Sequence, residues 1–248
     1  MERSDGSAAA VSRAGSGDSD WLADRLARIT RTAAYDIAIK AIVFLWYLYI
    51  ANSVFGELTR YLARADTIDS PALFASSVVS RVTVLMFLAT LVMFTLLRSR
   101  PIAKAPGLLP RITASAGTFL VMVLPLFPHR ALSIEMNALS TVIMLTGNCL
   151  AIYVVCHLGR SLSTMAEARH LVTTGPYRHV RHPLYLAEEV AVIGAFLQYA
   201  SLWTALLLCA HWLLQMARMK NEERVLDTTF PDYDAYARQT ARLIPGLY

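Results

Sequence analysis

Long apolar runs alternate with short basic loops along most of this chain. Continuous hydrophobic stretches cover approximately residues 36–55, 72–97, 112–127 and 136–158. A bilayer core of ~30 Å takes roughly 20 helical residues, so each run reads as a membrane helix, the third a short one. Pro125 and Pro128 mark the end of that third run. Residues 184–217 form a longer apolar stretch, interrupted near Gln198-Tyr199-Ala200-Ser201. It is too long for one span, and each half is short of a full one, so a helical hairpin turning near 199–201 fits best. The pattern predicts an all-α polytopic membrane protein. It should have about five to six membrane helices, including a C-terminal hairpin, and a polar helical tail over 218–248.

The chain before the first span is different. Residues 1–20 are rich in Ser, Gly, Ala and Asp and are expected to be disordered. Within residues 21–34, Trp21, Leu22, Leu26 and Ile29 recur at helical spacing between arginines. That reads either as an amphipathic helix lying on the membrane or as an extension of the first span. No apolar signal core lies in the first twenty residues, so the first span is expected to stay as an anchor.

Composition supports the membrane class. Of 248 residues, 56% are hydrophobic and 17% charged, whereas a soluble domain carries about 25% charged residues. Mean hydropathy is +0.45. The net charge of +5 does not point to nucleic acid, because the basic residues flank apolar spans and no basic stripe is interleaved with aromatics. The loop at 98–111 carries Arg98, Arg100, Lys104 and Arg111, and the loop at 159–183 carries Arg160, Arg169, Arg178 and Arg181 against Glu167. Basic loops stay in the cytoplasm, so both termini and both loops are expected there. Lys40, Lys104 and Lys220 are the only lysines among many arginines and alanines. That bias suggests a GC-rich bacterial genome and hence an inner membrane, or the endoplasmic reticulum membrane in a eukaryote. Cys149, Cys156 and Cys209 all lie inside apolar runs and give no disulfide framework or metal pair. They are expected to pack between helices. No metal is expected.

The chemistry concentrates in two patches. Gly175-Pro176-Tyr177-Arg178-His179-Val180-Arg181-His182-Pro183-Leu184-Tyr185 sits directly before an apolar helix, and Pro183 suits its first position. The unpaired N–H groups of a helix start can hold an anionic group. His182 reads either as a proton donor or acceptor near neutral pH or as an interfacial capping residue. His170 and His179 share its loop, while His129, His157 and His211 stand alone and are expected to be structural. Tyr177 and Tyr185 read either as interfacial anchors or as walls for a planar, cationic ligand. Arg218 and Glu222 lie four residues apart on one helix face, with Glu223 beside them. They form either a surface ion pair or a fork for a carboxylate or phosphate. No HExxH, GxSxG, phosphate-binding loop or dinucleotide fingerprint occurs.

Taken together, His170-Leu171-Val172, Gly175-Pro176-Tyr177, Val180 to Tyr185, Arg218, Glu222-Glu223, Phe230, Tyr233, Tyr236 and Ile244-Pro245 resemble a known signature. It is that of the isoprenylcysteine carboxyl methyltransferase and phospholipid methyltransferase superfamily. The resemblance covers about residues 145–248; residues 35–144 match only as membrane helices. It implies an S-adenosylmethionine-dependent integral membrane methyltransferase with a lipophilic small-molecule, lipid or lipidated acceptor. It further implies a cofactor site at His170, Val172, Gly175, Tyr177, Arg181, His182, Pro183, Leu184, Tyr185 and Glu223, with Arg218 and Glu222 catalytic.

Three other readings remain: a phosphatidylethanolamine N-methyltransferase, a nicotinamide-dependent sterol-type reductase and a non-catalytic scaffold. Such reductases resemble this chain but typically read Arg-His-Pro-Asn-Tyr, where Leu184 replaces the asparagine. The spans are expected to be nearly free of acids, which argues against a transporter.

Overall fold

The computed structural model describes residues 28, 32–67, 70–128, 130 and 132–246. The expected disordered segment, most of the amphipathic helix at 21–34, and His129 lie outside the described residues. The fold is all-α and membrane-embedded. Three helices are long and apolar enough to cross a bilayer: α1 (Ala33–Leu62), α2 (Pro71–Leu97) and α4 (Ile134–Leu158). Each begins at a hydroxyl cap. Thr32, Ser70 and Ser133 accept hydrogen bonds from the N–H groups of Tyr35, Leu73 and Met136, which satisfies donors that a helix start leaves unpaired. Large side chains such as Ile37, Leu45, Met86 and Val142 stand exposed along these helices and form a lipid-facing surface.

The expected third span is not one helix. It breaks into α3 (Leu109–Phe119) and a 3₁₀ segment (Leu120–Leu126). The hairpin forms where length demanded it. α5 (Pro183–Gln198) and α6 (Leu202–Thr229) meet at Tyr199-Ala200-Ser201. Ser201 and Thr204 cap α6 reciprocally, so its start is fixed by sequence. α5 has 16 residues, about 24 Å at 1.5 Å per residue, and falls short of a full bilayer. α6 runs from exposed apolar residues such as Leu202, Trp203 and Leu213 to a polar end, and a short α7 (Tyr233–Gln239) follows.

Two loops share a two-stranded ladder that the periodicity does not announce. β1 (Ala103–Lys104) pairs antiparallel with β2 (Glu167–Ala168), with Ala103 opposite Ala168. Ala105, Ala166, Ala168 and Val225 form a small core there, with Leu226 and Phe230 against it. This ties both basic loops to the polar end of α6. The cysteines correct an expectation. All three are exposed, so they face the lipid-contacting surface rather than packing between helices.

α4 and α5 make the tightest helix contact. A Cβ at Gly147 would sit 2.3 Å from the Ala191 nitrogen, and one at Gly194 would sit 2.7 Å from the Met144 nitrogen. Ser140 donates to the Gly194 carbonyl at 2.8 Å, and Gln198 donates to Ser140 at 3.0 Å. Small residues permit this approach, and the polar groups pair across it. Gly147→Ala should therefore force the helices apart and cost about 1–3 kcal/mol. A lowered melting temperature in detergent checks this; an unchanged one contradicts it.

Candidate active site

Glu223, near the end of α6, organises the site. Arg181 donates to Glu223 Oε1 at 2.9 Å, and the His182 ring nitrogen lies 3.2 Å from the same oxygen. Arg242 engages both carboxylate oxygens, with Nη2 2.6 Å from Oε2. Arg181 also donates to the carbonyls of Ala237 and Thr240. Backbone bonds complete the clasp: Arg181 N to Ala241 O at 2.8 Å and His182 N to Arg242 O at 3.1 Å. The Arg-His-Pro turn is thus locked to α6 and to the tail. Burial pushes the Glu223 carboxyl up, but hydrogen bonds from His182, Arg242 and Arg181 outweigh it. They hold the group well below the ordinary carboxylate range.

Above this lock lies a cleft of about 840 Å³, part of it open solvent. Small-molecule sites span roughly 300–1,000 Å³. His170, Val172 and Tyr177 line it from the loop; Arg181, His182, Leu184 and Tyr185 from the turn and α5; and Arg218 and Glu222 from α6. The structure thus brings the two patches together. Gly175, Pro183 and Glu223 do not line the cleft; they position residues that do. Gly175 has φ +60°, and a Cβ there would meet His157 at 2.3 Å, so the loop seats directly on the end of α4. Pro183 starts α5. Its cap residue, His182, makes no side-chain capping bond because its ring turns to Glu223.

Arg218 is only 7% exposed. Its guanidinium donates to Thr118 at 3.1 Å and to the Thr164 carbonyl at 3.2 Å, and it stands 4.9 Å over the Tyr185 ring. Tyr185 donates to Glu222 Oε1 at 2.5 Å, and Arg218 Nε lies 3.4 Å from that oxygen. The cation expected over Tyr185 is therefore supplied from within. The pair is a buried network rather than a surface bridge.

Tyr233 and Tyr236 close the far wall, and Tyr236 donates to the Tyr177 carbonyl at 2.8 Å. Burial pushes Tyr236 up to about 12 and Tyr177 higher still, so both are neutral walls.

Sequence reasoning missed Glu188. It lines the cleft from α5 and forms no hydrogen bond or ion pair among the described residues. Glu189 lies beside it, with one oxygen 3.1 Å from His211 Nε2 outside hydrogen-bond geometry. The expectation of nearly acid-free spans overlooked this pair. Two adjacent acids inside an apolar run of residues 184–217 were the available signal.

Several polar groups of the cleft are left open for a ligand. The Tyr233 hydroxyl is buried with no hydrogen-bond partner among the described residues. The first turn of α5 lacks a side-chain cap, and Glu188 offers a free carboxylate. Among the described residues, no cluster of three or more His, Cys, Asp or Glu side chains is placed to hold a metal ion.

Residues 139–228 match the model of the isoprenylcysteine carboxyl methyltransferase (ICMT) family, as the signature implied. The chain is 38% identical over 82 residues to the nickel-cobalt-cadmium resistance protein NccN of Alcaligenes xylosoxydans xylosoxydans. It is 40% identical over 78 residues to the cobalt-zinc-cadmium resistance protein CzcN of Cupriavidus metallidurans. These matches cover 33% and 31% of this chain, and 38% and 36% of those proteins. The chain thus spans little more than a third of the length of the curated relatives it matches.

Because the Glu223 carboxyl is held below its unfolded value, its stabilisation is full above about pH 5 and fades as pH falls toward the native value. At neutral pH, Glu223→Gln should cost on the order of 3 kcal/mol, since two largely buried guanidiniums lose their counterion. The gap from wild type should narrow below about pH 4. Thermal melts across that range check this; a gap independent of pH contradicts it.

Proposed function

We propose that this chain transfers a methyl group from S-adenosylmethionine to a lipophilic acceptor at the cytosolic edge of the membrane. The premise is the match of residues 139–228 to a membrane methyltransferase family. The observation that carries the reading is the single cleft shared by the Arg-His-Pro turn and the Arg218–Glu222 pair. Residues 145–248 would form the catalytic region, with 35–144 as supporting helices. The basic loops support a cytoplasmic position for this cleft and both termini, in what we take to be a bacterial inner membrane.

When bound, the cofactor supplies an electrophilic methyl carbon on a sulfonium. His170, Tyr177, the Tyr233 hydroxyl and the start of α5 would hold it. Tyr177 and Tyr236 give the cleft two aromatic walls. Arg218 is fixed by Thr118, Thr164 and Glu222, so its remaining N–H groups meet an acceptor oxygen with little reorganisation. A carboxylate or thiolate acceptor needs no base.

Glu188 favours a second reading, an amine acceptor of the phosphatidylethanolamine kind. Its free carboxylate would match an ammonium headgroup and take the proton that the amine must lose.

Incubation with methyl-labelled S-adenosylmethionine and membrane lipid extract should give a labelled lipophilic product. Arg218→Ala should lower turnover by about 10²–10³-fold. Trp203→Ala, on the lipid-facing start of α6, should leave it unchanged. Glu188→Gln should abolish transfer to an amine and spare transfer to a carboxylate. Absence of both cofactor binding and labelled product would sink the proposal, and nicotinamide binding in their place would favour the reductase.

A further inference from the structure

A second cleft lies on the other side of Arg169. It encloses about 850 Å³, part of it open solvent. Its polar walls are Lys40 from α1, Arg98, Ser99 and Arg100 from the exit of α2, Arg169, and Asp36. Two of these charges are already answered. Asp36 is held by Lys104 at 2.5 Å, and Arg169 by Glu167 at 2.8 Å. What remains is positive.

Arg98 is the unusual member. It is 6% exposed, yet its side chain makes no hydrogen bond or ion pair among the described residues, and its Nε is fully buried without a partner. Burial, and then the charge of Arg169, push its pKa down from the ordinary arginine value. A buried charge without a counterion is costly, and native proteins normally pair it. Lys40 stands close by, its Nζ 3.5 Å from the Arg98 carbonyl. Among the described residues no acidic side chain pairs with either cation; Asp36 and Glu167 act on them only by longer-range attraction.

We propose that this cleft binds a phosphate-type oxyanion, with Arg98 as its fork and Lys40 as its second cation. A guanidinium matches such an oxygen pair in geometry as well as charge. The setting favours a lipid headgroup as the source. The cleft lies where two membrane helices end, and Ile37, Leu97 and Ile102 stand exposed around it at 67%, 53% and 64%. Acyl chains would cover that apolar rim. Arg169 also lines the candidate active cleft and donates to the Ser99 carbonyl at 2.9 Å, so an occupant here braces the loop that carries His170.

The test uses the full chain in detergent, melted with inorganic phosphate, with dioctanoyl phosphatidylglycerol, and with zwitterionic dioctanoyl phosphatidylcholine. Wild type should melt higher with an anionic ligand than with the zwitterion. A rise with phosphatidylglycerol alone identifies a lipid headgroup; a rise with both anions shows that the phosphate group itself suffices. Arg98→Gln should melt higher than wild type without ligand, because an unanswered buried charge is gone, and should lose the anion response. Lys40→Gln should keep the fold and bind about tenfold more weakly, the scale of one charge-assisted hydrogen bond. No anion response in wild type, or an equal response in wild type and Lys40→Gln, overturns the proposal.

Discussion

The carboxylate of Glu223 holds this structure's functional end together. It gathers Arg181 and His182 from the turn before α5 and Arg242 from the tail, so three segments, α6 included, meet at one carboxylate. α6 is anchored in the apolar hairpin, the Arg-His-Pro turn starts α5, and the tail returns to both through Glu223, two backbone bonds and the burial of Leu243 against Tyr185 and Met219. Arg181 and Arg242 would be poorly solvated cations without it. The cost of burying these charges is met by their mutual contact, so the arrangement is all or none. The cleft exists because the lock leaves the opposite faces of the turn and α6 apart.

The same economy shapes the cleft. Arg181 is spent on Glu223, Arg169 on Glu167, and Arg218 on Glu222, Thr118 and Thr164. The cations therefore serve as a rigid frame. The groups left open are Glu188, the Tyr233 hydroxyl and the uncapped first turn of α5. That is a set suited to a ligand bearing both signs of charge. α5 is shorter than a bilayer, and Glu188 lies in its second turn, close to the polar start that lines the cleft.

Much of this was legible in the chain. Apolar run length located α1, α2, α4 and the hairpin turn at residues 199–201, because lipid enforces a minimum helix length. Loop charge put residues 160–183 and 218–248 on one side, where the structure joins them. Other features were hidden because they depend on tertiary neighbours. Glu223 reads as a ligand contact beside Glu222, but side-chain direction on the helix turns it to the tail. The three cysteines share the apolar character of both core and lipid surface, so composition could not separate the two. The break at Leu120 and the β1–β2 pairing leave no periodic signal at their length. Arg98 looked like one more interfacial positive charge; only burial without a partner sets it apart.

The central claim is that one donor molecule touches both the turn and the polar end of α6. Photolabelling with an azido-adenosyl analogue of S-adenosylmethionine, followed by peptide mapping, tests this directly. Labelled peptides should fall within residues 169–185 and within 218–236, and excess unlabelled cofactor should protect both. Label confined to one of these segments, or placed elsewhere with neither protected, contradicts it.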